Sequence, residues 1–280
     1  MFNNENIKLD ELINIALKED GDDATSKAIF KSEERATAKV ICKQDGILAC
    51  IEQGLRVFKI LDENVKIEIK KTDGDKIKQG DEIARISGFV LDLLRGERIC
   101  LNILQRACGI AAKTHQLSEI ISHTHARLLD TRKTAPGLRF LDKMAVHYGG
   151  GLNHRMGLND MVLIKDNHID RAGSISKAIN KVKNSAYSEL PIEVECRTFE
   201  DVQVCADLKV DRILLDNMSL KLMKQCVDFI IGRIPLEASG GITGDTIKRV
   251  AETGVDYISV GALTHSVNAL DISMYIEKGE

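Results

Sequence analysis

Residues 192–216 read IEVECRTFEDVQVCADLKVDRILLD. A short apolar run, Ile192-Glu193-Val194-Glu195, leads into a helix-like stretch, and a second run, Ile213-Leu214-Leu215-Asp216, opens about 20 residues later. The same grammar continues on both sides. Leu128-Leu129-Asp130 and Met161-Val162-Leu163-Ile164-Lys165 precede this stretch, and Leu236-Glu237-Ala238-Ser239 and Tyr257-Ile258-Ser259-Val260-Gly261 follow it. Each run closes on a polar or turn-forming residue and then gives way to a helical pattern. Repeated βα units imply a parallel sheet, and this many in one row favour a barrel over a small doubly wound sheet. Six such units, rather than eight, predict an α/β fold whose barrel is open and incomplete, TIM-like without closure.

Upstream the grammar differs. Residues 1–20 read as an amphipathic helix with Ile7, Leu12, Ile13, Ala16 and Leu17 near one face. Between Ala36 and Gly88, segments 36–42, 47–51, 65–70 and 83–86 are short and rich in Val and Ile, separated by turns such as Asp73-Gly74-Asp75 and Gly80-Asp81. Val65 to Lys70 alternates strictly, the mark of a strand with one wet face. These segments predict a small sheet domain. A helical pattern then runs from Leu91 to Ser122, with a break expected near Gly109.

Composition narrows the function. The 280 residues carry 44% hydrophobic and 29% charged side chains, a globular balance. Lys and Arg number 39 against 42 Asp and Glu, so the net charge of −3 argues against a nucleic-acid-coating protein. With 4% aromatics and no Trp, stacking platforms for single strands are not expected either. The seven cysteines form no C-x-x-C pair, which predicts reduced, buried thiols in a cytoplasmic protein. No apolar run reaches the ~18 residues of a membrane span, and the first residues lack the pattern of a secretory leader.

The polar residues that close the strands are the candidate chemistry. In βα barrels the C-terminal strand ends open onto the active-site face, which places Lys165, Glu195 and Asp216 there. Residues 131–165 hold Arg132, Lys133, Arg139, Lys143, Arg155 and Lys165 against Asp142 and Asp160, a local charge of +4. Cations at strand ends suit a small polyanion, and arginine forks match carboxylate and phosphate oxygens. Lys143 falls inside the helical pattern 138–148 and reads instead as part of a solvated helix face. Two late turns, Ser239-Gly240-Gly241-Ile242-Thr243 and Ser259-Val260-Gly261-Ala262-Leu263, fit backbone cradles for phosphate. Glu195 and Asp216 then need a positive partner. Either Mg²⁺ bridges them to phosphates, or they face the positive charge that develops on a sugar carbon in glycosyl transfer. A structural ion pair of these acids with Lys165 or Arg197 is the third reading. His115, His123, His125 and His265 read as ordinary surface or core histidines.

Several of these segments together resemble a known family. Thr131-Arg132-Lys133-Thr134-Ala135-Pro136-Gly137-Leu138-Arg139 is similar to the TRKT-x-PG-x-R signature of the quinolinate phosphoribosyltransferases. Gly149 to Arg155 and Met161 to His168 (MVLIKDNH) resemble its second signature, followed in order by Ile192–Glu195, Leu214–Asn217, Glu237–Thr243 and Ser259–Ser266. Gly96-Glu97-Arg98, Leu101-Asn102 and Gly109-Ile110-Ala111 are similar as well. Cys108, where a small hydroxyl residue is usual, and Ala24-Thr25 depart from the pattern.

The resemblance implies an N-terminal α/β sandwich over 1–107 and an open α/β barrel over 108–280, with the C-terminal tail packing back on the first domain. It implies transfer of the phosphoribosyl group of phosphoribosyl pyrophosphate to quinolinate. Carbon dioxide and pyrophosphate leave, and nicotinate mononucleotide enters NAD biosynthesis. It places Arg132, His154 and Arg155, with Arg98 of the partner subunit in a homodimer, around quinolinate, and Thr131 among the substrate-binding residues. Lys133, Lys165, Glu195 and Asp216 fall around phosphoribosyl pyrophosphate and its Mg²⁺, with Ser239, Gly240, Gly241, Ser259, Val260 and Gly261 as phosphate turns. No organic cofactor, nucleic acid or membrane is implied. The rival readings are a pyrophosphorylase of the related molybdenum-linked group, a Schiff-base lyase acting through Lys165, and a binding protein without turnover.

Overall fold

Apolar β-branched runs broken by Gly and Asp turns pair into a sheet, and periodic apolar stretches between polar caps become the helices around it. The computed structural model describes residues 3–277, with side chains from residue 8 onward. Contacts divide the chain into two units: 1–115, 135–150 and 267–280 form the first, and 116–134 with 151–266 the second. The division is discontinuous where the sequence suggests a single cut between 107 and 108.

The first unit contains α1 (Asn3–Asp20), α2 (Ala24–Ile29), β1 (Arg35–Cys42), β2 (Gly46–Ile47) and α3 (Ile51–Leu61). It continues through β3 (Lys66–Ile69), β4 (Lys76–Ile77) and β5 (Glu82–Phe89) into the long helix α4 (Val90–Ile121), whose last residues fall in the second unit. On α1, Leu9, Ile13 and Leu17 are buried, while Ile7 lies outside the residues whose side chains are described. Two sequence expectations are corrected here. The run 47–51 is not a strand: β2 stops at Ile47, Cys50 turns the chain with φ 60°, and Ile51 starts a helix with Leu55, Val57 and Phe58 buried. Helix α4 is not broken at Gly109. A side chain there would put Cβ 2.1 Å from the carbonyl oxygen of Asn268, so the glycine serves a close backbone approach within an unbroken helix.

The chain then alternates β6 (Arg127–Leu129), α5 (Arg139–Tyr148), β7 (Val162–Ile164), α6 (Asp166–Ala172), α7 (Ile175–Lys183), β8 (Ile192–Cys196) and α8 (Phe199–Asp207). It ends with β9 (Arg212–Asp216), α9 (Leu220–Ile230), β10 (Leu236–Ser239), α10 (Ile247–Ala251), β11 (Tyr257–Ser259), α11 (Ala262–His265) and β12 (Ile272–Ile276). The last strand pairs antiparallel with β1 in a sheet of order β12-β1-β5-β3, so the tail returns to the first unit. Lys143 on α5 is 1% exposed, which corrects its reading as a solvated charge. On the same helix Asp142 is held by the Arg106 guanidinium at 2.8 Å.

In the second unit six parallel strands run in the order β6-β11-β10-β9-β8-β7, with no pairing between β6 and β7 among the described residues: an open barrel. Val194, Ile213, Leu215 and Ala238 are fully buried, and each Val, Ile or Leu so placed stabilises by about 1.5–3 kcal/mol. Caps fix where the helices begin. Thr198 accepts from the Asp201 amide at 3.1 Å to start α8, and Ser219 accepts from the Leu222 amide at 3.3 Å to start α9. After β8 and β9 the turn between strand end and cap is therefore short, and that holds the side chains ending these two strands at one rim.

Candidate active site

Register decides which side chains share that rim. Glu195 pairs with Leu214, Leu214 with Glu237, Asp216 with Ser239, and Glu237 with Tyr257. Because strand side chains alternate, Glu193 and Glu195, Arg212 and Asp216, and Glu237 and Ser239 stand on one face, in two layers. The upper layer, with Thr131, Arg132, Lys133, His154, Arg155 and Lys165 and with Glu237 from the lower layer, lines a cavity of about 720 Å³. The turns Ser239-Gly240-Gly241 and Ser259-Val260-Gly261 close one side of it. Every site residue expected from the sequence is in this lining except Arg98, which is exposed on α4 in the first unit. His265, an exposed histidine, also lines the cavity.

The charges are arranged for an anion. Burial and the like charge of Arg132 lower the Arg155 pKa, while Asp160 and Glu193 oppose that shift. Two guanidiniums that repel each other in one cavity gain most from a ligand with two negative groups. Lys165 Nζ lies 3.7 Å from Glu195 Oε2, a loose ion pair between an exposed lysine and a largely buried carboxylate. Burial raises the Glu195 carboxyl, and the Asp216 charge raises it further. Two oxygen-donor acids side by side, held against their own repulsion, suit a hard cation or a developing carbocation.

The phosphate-type turns carry a structural reason for their glycines. Gly240 has φ +97°, and a Cβ there would sit 2.3 Å from Asn217 Oδ1. Asn217 is itself left-handed at φ 52°, donates its amide to the Ser239 oxygen at 2.9 Å, and donates Nδ2 to Asp216 Oδ2 at 3.1 Å. It braces the acid that ends β9 against the turn that ends β10. The site residues named from the sequence omit it, although it directly follows Asp216.

They omit the lower layer as well. Glu193 and Glu237 are fully buried two residues before Glu195 and Ser239, a spacing that strand alternation makes visible once the strands are assigned. His154 Nε2 lies 3.0 Å from Glu193 Oε2 and 3.6 Å from Glu237 Oε2, and Arg212 Nη1 donates to Glu237 Oε2 at 3.1 Å. The Arg155 amide donates to His154 Nδ1 at 2.7 Å, so both ring nitrogens already have neighbours, and a substrate oxygen reaching the ring must displace one. Burial, then the Glu193 charge, pushes the Glu237 carboxyl up to about 7. The folded chain therefore holds a proton there that the unfolded chain has already released, and stability falls as pH rises from the ordinary carboxylate range to about 7. Glu237→Gln removes that dependence. Its melting temperature relative to the parent protein is expected to climb between pH 5 and pH 8, by up to the equivalent of about 3 kcal/mol. A difference that stays flat across those thermal melts would place the proton elsewhere.

Comparison with known proteins bears on the whole chain. The family model "Quinolinate phosphoribosyl transferase, N-terminal domain" matches residues 23–108, and the corresponding C-terminal domain model matches residues 110–275. A chloroplastic nicotinate-nucleotide pyrophosphorylase (carboxylating) of Oryza sativa subsp. japonica is 43% identical over 96% of this chain and 78% of its own length. A probable nicotinate-nucleotide pyrophosphorylase (carboxylating) of Bacillus subtilis is 42% identical over 96% of this chain and 93% of its own. Among solved structures, the nicotinate-nucleotide pyrophosphorylase from Francisella tularensis superposes with a TM-score of 0.93 at 37% identity, covering 97% of both chains.

Proposed function

The chain belongs to the quinolinate phosphoribosyltransferase family, and from that premise we propose how the residues of its cavity divide the work of the reaction. The enzyme transfers the phosphoribosyl group of phosphoribosyl pyrophosphate to quinolinate with decarboxylation, and the product is nicotinate mononucleotide for NAD biosynthesis. The observation that carries the division of labour is the pair Arg132 and Arg155, two cations that repel each other in one cavity. Quinolinate is a dianion, and its carboxylates relieve that repulsion. Arg132 and Arg155 grip them from the wall that Thr131 and His154 complete, and Arg98 of a second copy adds a further cation in a homodimer.

Lys133, Lys165 and the turns Ser239–Gly241 and Ser259–Gly261 hold the phosphates of the donor, with backbone N–H groups of the turns serving the phosphate oxygens. Glu195 and Asp216 face the sugar. The donor set fits Mg²⁺, because two crowded carboxylates and diphosphate oxygens are hard ligands. Held by Glu195 and Asp216, the ion would supply positive charge to offset that of the leaving group.

The pyridine nitrogen attacks the anomeric carbon in line, the bond to pyrophosphate breaks, and the cavity's share of this step is alignment. The ring nitrogen is then positive. The adjacent carbon–carboxyl bond breaks, its electron pair stays on the ring carbon beside the positive nitrogen, carbon dioxide departs, and a proton restores the C–H bond. No nucleophilic side chain is required, which separates this reading from a Schiff-base lyase. Seven buried free thiols support a reducing compartment such as the cytoplasm, and no helix among the described residues is long and apolar enough to cross a membrane. The test is an acceptor comparison. With phosphoribosyl pyrophosphate and Mg²⁺ supplied, quinolinate yields nicotinate mononucleotide and carbon dioxide, whereas nicotinate, lacking the second carboxylate, yields little. Equal rates for the two acceptors would remove the paired-arginine grip.

A further inference from the structure

Two carboxylates buried without exposure, Glu193 and Glu237, have no task in the reaction as divided above. A buried carboxylate is costly unless something compensates it. No aligned donor reaches either oxygen of Glu193 or Oε1 of Glu237; His154 Nε2 stands 3.0 Å from Glu193 Oε2, Arg212 Nη1 stands 4.0 Å from Glu193 Oε1, and the Ser259 hydroxyl neighbours Glu237. A metal site made of these three side chains conflicts with the ring's chemistry. The Arg155 amide donates to Nδ1 at 2.7 Å, so in the neutral ring the proton sits on Nε2, and a protonated nitrogen is not a ligand. Arg212, donating to Glu237 and stacked 4.6 Å over the Tyr257 ring, also occupies the cation's place.

The same geometry has a positive reading. The His154 amide donates to Asp130 Oδ1 at 2.9 Å, and Asn153 Nδ2 donates to Asp130 Oδ2 at 2.6 Å. Asp130 thus clamps the backbone of the 153–155 elbow from one side. The ring of His154 reaches the two acids on the other side, and its remaining nitrogen receives the amide of Arg155. Past that amide, the Arg155 guanidinium donates Nη1 to the Met161 oxygen at 3.0 Å and faces the cavity.

We propose that Glu193 and Glu237, with Arg212 behind them, are positioning residues that hold His154 in its Nε2–H tautomer and through it aim Arg155 at a quinolinate carboxylate. This rests on the reading of Arg155 as a quinolinate contact. Within the frame Glu193 carries the test, because its short contact is to His154, whereas Glu237 also meets the Ser259 hydroxyl of a phosphate turn; an effect confined to acceptor binding is therefore expected of Glu193.

Steady-state kinetics on Glu193→Ala, Glu193→Gln and Arg155→Ala, with both substrates varied, tests it. Glu193→Ala is expected to raise KM for quinolinate about tenfold or more, with KM for phosphoribosyl pyrophosphate within about twofold. Glu193→Gln, which keeps an oxygen beside Nε2–H, is expected to recover most of the loss. An unchanged quinolinate KM in Glu193→Ala, or a glutamine variant as impaired as the alanine one, overturns the proposal. If Arg155→Ala itself leaves that KM unchanged, the reading of Arg155 has failed first. Should Glu193→Ala not fold, the unmodified protein decides. In ¹⁵N-histidine-labelled enzyme the His154 signals, identified by their loss in His154→Gln, are expected to show a protonated Nε2 and an unprotonated Nδ1. A protonated Nδ1 rejects the frame.

Discussion

Arg132→Ala is expected to lower kcat/KM for quinolinate by a factor of about 10² to 10³, while KM for phosphoribosyl pyrophosphate changes far less. The size follows from what the guanidinium does. Arg132 is exposed at the end of the first barrel strand, and its charge helps lower the pKa of Arg155 beside it. In the free enzyme the two cations oppose each other, and a dicarboxylate converts that opposition into attraction at both ends. Removing Arg132 relieves Arg155 but leaves one carboxylate of the substrate desolvated and without a planar partner. A bidentate contact to a charged group lost in this way costs about 2–5 kcal/mol. Initial rates with each substrate varied in turn check the asymmetry. A loss shared equally between the two substrates would mean that Arg132 serves the phosphates.

Lys165→Ala is the second large effect, expected in kcat at about 10²- to 10³-fold. Lys165 is the cation nearest Glu195, whose carboxyl is raised by burial and by Asp216 and lowered by Lys165. The ion pair is half exposed, so its value to folding is small, and the variant is expected to melt near the parent temperature. Its value to catalysis is different, because the amine faces a cavity that must hold a diphosphate. Without it Glu195 also keeps its proton to higher pH. The ionised carboxylate that activity needs is then lost earlier as pH falls, so the acid limb of the residual activity moves up in pH. A Lys165→Ala enzyme with unchanged kcat and an unchanged acid limb would show that the lysine stands outside the reacting groups.

The parallel strands were readable because each is an apolar run of a few residues at a near-constant interval, and strands buried on both faces, as Val194 and Ile213 are, keep that signature locally. The upper layer of the cavity was readable for a related reason: Lys165, Glu195 and Asp216 are the polar residues at or next to the ends of their apolar runs. What escaped depends on contacts distant in sequence. Ile51 starts a helix because Cys50 adopts a left-handed turn that no pattern of residue types announces. Lys143 looks like the wet side of α5, yet it is buried, as is its neighbour Asp142 against Arg106 on another helix. Gly109 looks like a helix breaker and is instead the contact point for residue 268. Glu193 and Glu237 hid in plain alternation, each two residues before a residue that sequence reading had selected.

The central claim is that one cavity holds both carboxylates of the acceptor on Arg132 and Arg155, with the ring nitrogen turned toward Asp216 and Glu195. A crystal structure of the enzyme with quinolinate bound measures this directly. The account predicts a carboxylate oxygen within hydrogen-bond distance of each guanidinium and the nitrogen facing the strand-end acids. Quinolinate bound outside this cavity, or bound within it with either arginine turned to a phosphate, would contradict it.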